Sequence, residues 1–351
     1  MTSLLSRRNL FASAFSLTAA SLASGQSVEP LRIVTMQYFD PQELEVLTRA
    51  AQGRSVEISY VANRGELRAK LPQTEILFGD LEARELDYVP KLKWIQAAGA
   101  GMELFDKKVM ASPIPITNMA RIFAPGIADT AMGLLLSITR GIGIYYMPQF
   151  YKHELHSVGS ARTAEHIELA GRTMGIVGMG GIGSEIARRA HYGFGMRVIA
   201  TDPKPMPKPD SVEILREPAW FPEMAKQVDV LVSAAPHTPK TEGMFSEAIF
   251  RSMKKGSIFI AMSRGKLYDD QALVKVLKEG HLRGAGLDVF PIEPVPKNHP
   301  IFDCPNVVMT PHTSGWGEER QARLVSHFAE NIRRYTLGLP LLAVVDKAAG
   351  Y

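Results

Sequence analysis

Cysteine is almost absent from this sequence: one residue, Cys304, in 351. A single thiol excludes a disulfide framework and a cysteine-rich zinc site. A surplus of one charge is missing too. Lysine and arginine number 40 against 36 acids, a formal +4, and the cations are scattered, so no basic surface points to nucleic acid. No apolar run reaches the ~20 residues that a membrane span needs, which argues against a membrane anchor. There is no internal repeat and no low-complexity tract beyond the proline-rich loop Pro203 to Pro209. What is there is ordinary for a globular protein, 46% hydrophobic and 22% charged residues. At roughly 150 residues per domain, the length favours two domains.

The first 27 residues read as an address. In Ser6-Arg7-Arg8-Asn9-Leu10-Phe11 two arginines precede an apolar stretch, Leu10 to Ala23. The pattern resembles a twin-arginine export signal, with the export machinery as a partner. The stretch is too short and too polar for an anchor, and the small residues Ala23, Ser24 and Gly25 suit cleavage. The expected location is therefore periplasmic or secreted, and cytoplasmic if the leader does not work.

Two alternating series follow. Leu31–Met36, Val56–Val61, Ile76–Gly79, Trp94–Gln96 and Pro115–Thr117 read as strands with helices between them. Asp40 and Pro41 form a helix start, with the helix expected to reach Ala51. Ile127 to Ile144 reads as one long apolar helix, buried between domains or subunits. Six further strands are expected at Thr173–Val177, Arg197–Ala200, Val228–Ser233, Ser257–Ala261, Ala285–Leu287 and Val307–Thr310, and Gly317 to Leu337 reads as an amphipathic helix. The alternation predicts an α/β protein with a Rossmann-type doubly wound parallel sheet.

The strand Thr173 to Val177 runs into Gly178-Met179-Gly180-Gly181-Ile182-Gly183, a G-x-G-x-x-G. Gly178 allows the tight turn, Gly180 lets a pyrophosphate reach the backbone, and Gly183 lets helix and strand pack closely. Gly181 and Ile182 belong to the same cofactor loop. Asp202 ends the next strand, 19 residues after Gly183, where a carboxylate can hold the adenosine ribose hydroxyls. It would repel a 2′-phosphate, so NAD is favoured and NADP remains possible, because Lys204 is two residues on.

Arg264, Glu293 and His312 each lie at the carboxyl end of an expected strand, where open α/β sheets place their ligands. The segments GIVGMGGIG, SRGKLYDDQALVKVLKEGHLRGAGLDVFPIEPVP and HPIFDCPNVVMTPHTSG resemble the D-isomer-specific 2-hydroxyacid dehydrogenase family, and within it the glyoxylate and hydroxypyruvate reductases. The likeness extends from about residue 31 to the end. It implies hydride transfer between a nicotinamide and a small 2-keto or D-2-hydroxy acid. His312 would carry the proton, Glu293 orient it, and Arg264 bind the substrate carboxylate. It implies substrate contacts from the backbone of Ala100 and Gly101, and a place near the nicotinamide for Asp288. It also implies a second, flavodoxin-like substrate domain over 28–122, completed by 317–351, around an NAD-binding domain over 123–316, and a homodimer built on Ile127 to Ile144. No metal is called for. Glu103 stands where the family usually has Asp, and His237 where leucine is usual. Trp316 is expected either at the substrate pocket or in a core or subunit contact. The rival reading is a dinucleotide-binding regulator or scaffold on the same fold.

Overall fold

In the computed structural model, residues 29–103, 105–156, 159 and 166–351 are described. The leader, with Arg7 and Arg8, lies outside them. Two parallel sheets account for the strands among the described residues. The first contains β1 (Leu31–Thr35), β2 (Val56–Tyr60), β3 (Ile76–Phe78), β4 (Trp94–Gln96) and β5 (Ile116–Thr117), in the order β2-β1-β3-β4-β5. That is the flavodoxin order. The helix Pro41–Arg49 starts as expected: the Asp40 side chain accepts from the Glu43 amide, and the Glu43 side chain answers at the Asp40 amide.

The second sheet contains β6 (Thr173–Val177), β7 (Arg197–Thr201), β8 (Ile214–Arg216), β9 (Val230–Ser233), β10 (Ile258–Ala261), β11 (Gly284–Leu287) and β12 (Val307–Met309). Its order is β12-β11-β10-β9-β6-β7-β8. Strands β6, β9, β10 and β11 are buried along their whole length, as expected of parallel strands covered on both faces. The sheet has seven strands, not the six read from sequence. The extra one, β8, lies at the edge with partly exposed side chains, so it leaves no apolar run to read.

The long apolar helix is a second correction. It ends at Thr139, because Gly141 takes a left-handed conformation, φ 70°. A π-turn, Ile142–Tyr146, and a short helix, Met147–Tyr151, follow. The helix Ala124–Thr139 lies against the second sheet, where Leu134, Leu135 and Ile138 join Ile176, Val232 and Ile260. Its buried face thus serves its own core.

The helix Arg320–Thr336 returns to the first sheet. Phe328 packs in a T-shaped pair with Phe78, ring centroids 4.8 Å apart. Asn331 donates to the buried Gln96 Oε1 at 3.2 Å, and Trp94 Nε1 donates to Thr117 Oγ1 at 2.6 Å. Asn331, Gln96, Trp94 and Thr117 are thus linked in one buried hydrogen-bond network, which fixes the register of the helix. The chain therefore crosses between the sheets twice, near 118–123 and near 310–319.

Candidate active site

The phosphate loop follows from local sterics. Gly178 adopts φ 96°, and a Cβ there would stand 2.7 Å from Ala235 Cα. That backbone follows β9, so the loop sits where the strand order reverses, between β6 and β9. A Cβ at Gly183 would fall 2.0 Å from the Gly178 carbonyl oxygen. A Cβ at Gly180 would meet nothing within 4 Å, which leaves its face of the backbone open. The helix Gly181–Arg188 starts with no side-chain cap, so its first amides are free for an anion. Asp202 Oδ2 accepts from the Met179 amide at 2.7 Å and Oδ1 from the Lys204 amide at 2.8 Å. The loop and the expected ribose acid are thus one hydrogen-bonded unit. Beside them is an open cavity of about 500 Å³, lined by Asp202, Lys204, Met206, Arg216 and Trp220.

Sequence reasoning missed Tyr351 at this end of the cleft. Lys204 Nζ lies 4.2 Å from its ring centroid. Burial, then the Asp202 and Asp346 carboxylates, push the Tyr351 hydroxyl above its ordinary range. No local pattern could have announced a contact spanning that much of the chain.

At the other end, His312 Nδ1 lies 2.7 Å from Glu293 Oε2. Glu293 is itself held, because its Oε1 accepts from the Phe290 amide at 2.8 Å. The pair commits Nδ1 and leaves Nε2 free to face a substrate. His312 has φ 55°, a left-handed conformation that costs a non-glycine residue ~1–2 kcal/mol. Asp288 is what holds it there. Its fully buried carboxylate accepts from Thr310 Oγ1 at 2.6 Å, from the Thr313 amide at 3.0 Å and from the Ser314 amide and hydroxyl. Asp288 thus has a structural use in the His312 loop beside the place near the nicotinamide that the family resemblance implies.

Arg264 caps the turn Gly265–Leu267, and its Nη1 donates to the Ser263 carbonyl at 2.7 Å. Tyr268, at the end of that turn, donates to the Val289 carbonyl at 2.8 Å and ties the Arg264 turn to the Glu293 segment. Burial holds the Tyr268 phenol far above its ordinary range, so it stays a donor. The loop 98–103 of the first sheet comes against Arg264. A Cβ at Gly101 would stand 2.0 Å from Arg264 Nη2. Ala100 is placed by its carbonyl, which accepts from Asn118 Nδ2 at 2.8 Å. The structure thus brings Gly101 and Arg264 together across the two sheets. It adds Glu103, whose carboxylate pairs with Arg264 Nε at 2.8 Å.

Two other residues have partners of their own. His237 pairs with Glu242 at 3.3 Å in its own loop. Trp316 is 69% exposed under the guanidinium of Arg320, so it is not a core residue.

Residues 132–314 match the family model described as D-isomer specific 2-hydroxyacid dehydrogenase, NAD binding domain. A glyoxylate reductase of Korarchaeum cryptofilum is 33% identical over 75% of this chain and 79% of its own length. The chain belongs to the D-isomer specific 2-hydroxyacid dehydrogenase family. A D-3-phosphoglycerate dehydrogenase of Methanocaldococcus jannaschii is 31% identical over 85% of this chain, which spans only 57% of that relative. The crystal structure of an NADPH-dependent glyoxylate/hydroxypyruvate reductase from Sinorhizobium meliloti, in complex with NADP and sulfate, superposes with a TM-score of 0.74 at 27% identity. The match covers 91% of this chain and 99% of that one. This dehydrogenase is thus an NAD(P)-dependent oxidoreductase, and its open glycine loop and uncapped helix fit the dinucleotide.

Proposed function

We propose that this dehydrogenase interconverts a small 2-keto acid, glyoxylate or hydroxypyruvate, and the corresponding D-2-hydroxy acid. The carrying observation is the His312–Glu293 pair at 2.7 Å, with Arg264 and Gly101 in contact nearby. A dinucleotide held by the Gly178–Gly183 loop and Asp202 would supply or accept the hydride at the substrate C2. His312 Nε2 gives a proton to the C2 oxygen on reduction and takes it back on oxidation. Glu293 accepts the Nδ1–H, fixes the tautomer and holds the ring in place. Arg264 offers its Nη1/Nη2 edge to the substrate carboxylate, and the Ala100–Gly101 backbone closes on the same group. Closure of the two domains excludes water from the hydride path. Asp202 favours NADH over NADPH through repulsion of a 2′-phosphate, with Lys204 offsetting part of it.

Initial-rate assays with glyoxylate, hydroxypyruvate and phosphohydroxypyruvate, each with NADH and NADPH, test the reading. Turnover of either small keto acid supports it. Tight dinucleotide binding without turnover of any of the three supports the regulator or scaffold reading instead.

Two further readings travel with this one. The paired Arg7 and Arg8 before an apolar stretch support twin-arginine export. Fractionation of cells expressing the full chain, with Arg7→Lys and Arg8→Lys together as control, tests it. The exposed Ile142, Phe150, Tyr151 and Leu155, just beyond the buried helix, support a homodimer built on that segment. Sedimentation at micromolar concentration tests it.

A further inference from the structure

Arg121 lies in the first crossing between the sheets, four residues after β5 and just before the helix Ala124–Thr139. Its φ is 75°, the left-handed region that an L-residue avoids. The backbone carbonyl accepts from the Ala124 amide at 3.2 Å, so the turn has a structural use. A glycine would serve that turn without strain. The side chain is exposed, and among the described residues its guanidinium makes no hydrogen bond and no ion pair. An arginine at a strained position with an idle head group calls for a reason beyond the turn.

Its surroundings supply one. The stem of Arg121 lies on Gly181, the first residue of the helix that follows the phosphate loop. A Cβ at Gly181 would stand 2.8 Å from Arg121 Cγ and 2.9 Å from its Cα. The absent side chain at 181 is therefore the space that Arg121 fills. With the stem packed there, the idle guanidinium lies within one side-chain length of uncapped amides that already favour an anion.

We propose that Arg121 is a pyrophosphate ligand of the dinucleotide, supplied from the inter-domain crossing rather than from the phosphate loop. The inference rests on the glycine loop as the cofactor site and adds a cation that the loop lacks. It also couples two events. A charge on the crossing segment, engaged by the cofactor, holds the first sheet against the second and so prepares the cleft for substrate.

Arg121→Gly separates this role from folding, since glycine relieves the left-handed backbone. The variant is expected to melt no lower than the parent. Its dissociation constant for NADH, read by fluorescence or calorimetry on the full chain, should rise about 10- to 100-fold, the size of one charge-assisted hydrogen bond. ADP-ribose should weaken by the same factor, and adenosine, which has no phosphate, should not. Arg121→Lys should recover part of the affinity, and the salt dependence of NADH binding should be shallower in Arg121→Gly. NADH binding within two-fold of the parent overturns the proposal. So does an equal loss for adenosine, or a change confined to the KM of the keto acid at saturating NADH. If no keto acid is turned over but the binding pattern holds, the proposed reaction fails while the role of Arg121 stands.

Discussion

The guanidinium of Arg264 is held side-on by the carboxylate of Glu103, Nε to Oε1 at 2.8 Å and Nη2 to Oε2 at 3.3 Å, from loops 161 residues apart. The pair uses the Nε/Nη2 edge and Nη1 donates to the Ser263 carbonyl, so one N–H each on Nη1 and Nη2 remains for a second carboxylate. A substrate anion there meets Glu103 as a like charge across a shared cation. Both side chains are about one-third exposed, so solvent screens the repulsion.

Glu103→Gln therefore lowers the KM for the keto acid by up to about five-fold, the ~0.2–1 kcal/mol typical of exposed charge pairs. The dinucleotide affinity should not move. Initial rates at saturating NADH measure the effect. A raised KM would show that the carboxylate serves to aim Arg264.

His312→Ala should lose about 10²- to 10⁴-fold in turnover, the usual cost of removing one acid–base group. NADH binding should stay within a few-fold, because His312 touches no part of the phosphate loop. Glu293→Gln keeps a hydrogen-bonding group beside Nδ1 and so still orients the ring, although with a neutral partner, so its loss should be smaller. Single-turnover rates rank the three proteins, and near-parental kcat in His312→Ala would remove the histidine from the mechanism.

Asp288→Asn tests the support beneath the histidine. The amide NH2 would face the Thr313 and Ser314 donors now satisfied by a buried carboxylate. The expected cost is about 1–3 kcal/mol of stability, with a loss of turnover as the left-handed His312 relaxes. Thermal melting with and without NADH, together with kcat, checks it. Unchanged turnover in a destabilised protein would separate Asp288 from the catalytic loop.

Asp202→Ala should raise the KM for NADH and narrow the preference over NADPH. Its hydrogen bond to the Met179 amide adds a second effect, a looser phosphate loop, so NADPH binding should improve less than charge alone predicts. The ratio of kcat/KM for the two cofactors decides, and an unchanged ratio would count against Asp202 as the selective group.

The sequence by itself determined whatever depends on near neighbours. The turn at Gly178, the close contact at Gly183 and the capping box at Asp40 and Glu43 are short-range steric and hydrogen-bonding requirements, legible within a few residues. Apolar strands buried on both faces announced themselves as runs, whereas the half-exposed edge strand β8 did not. Tertiary structure decided the pairings between distant loops. Glu103 reaches Arg264, Arg121 fills the space at Gly181, and Asp288 holds the His312 loop because the crossings between the two sheets bring those segments together. No local pattern encodes such contacts, since their geometry is set by how two separately packed cores meet.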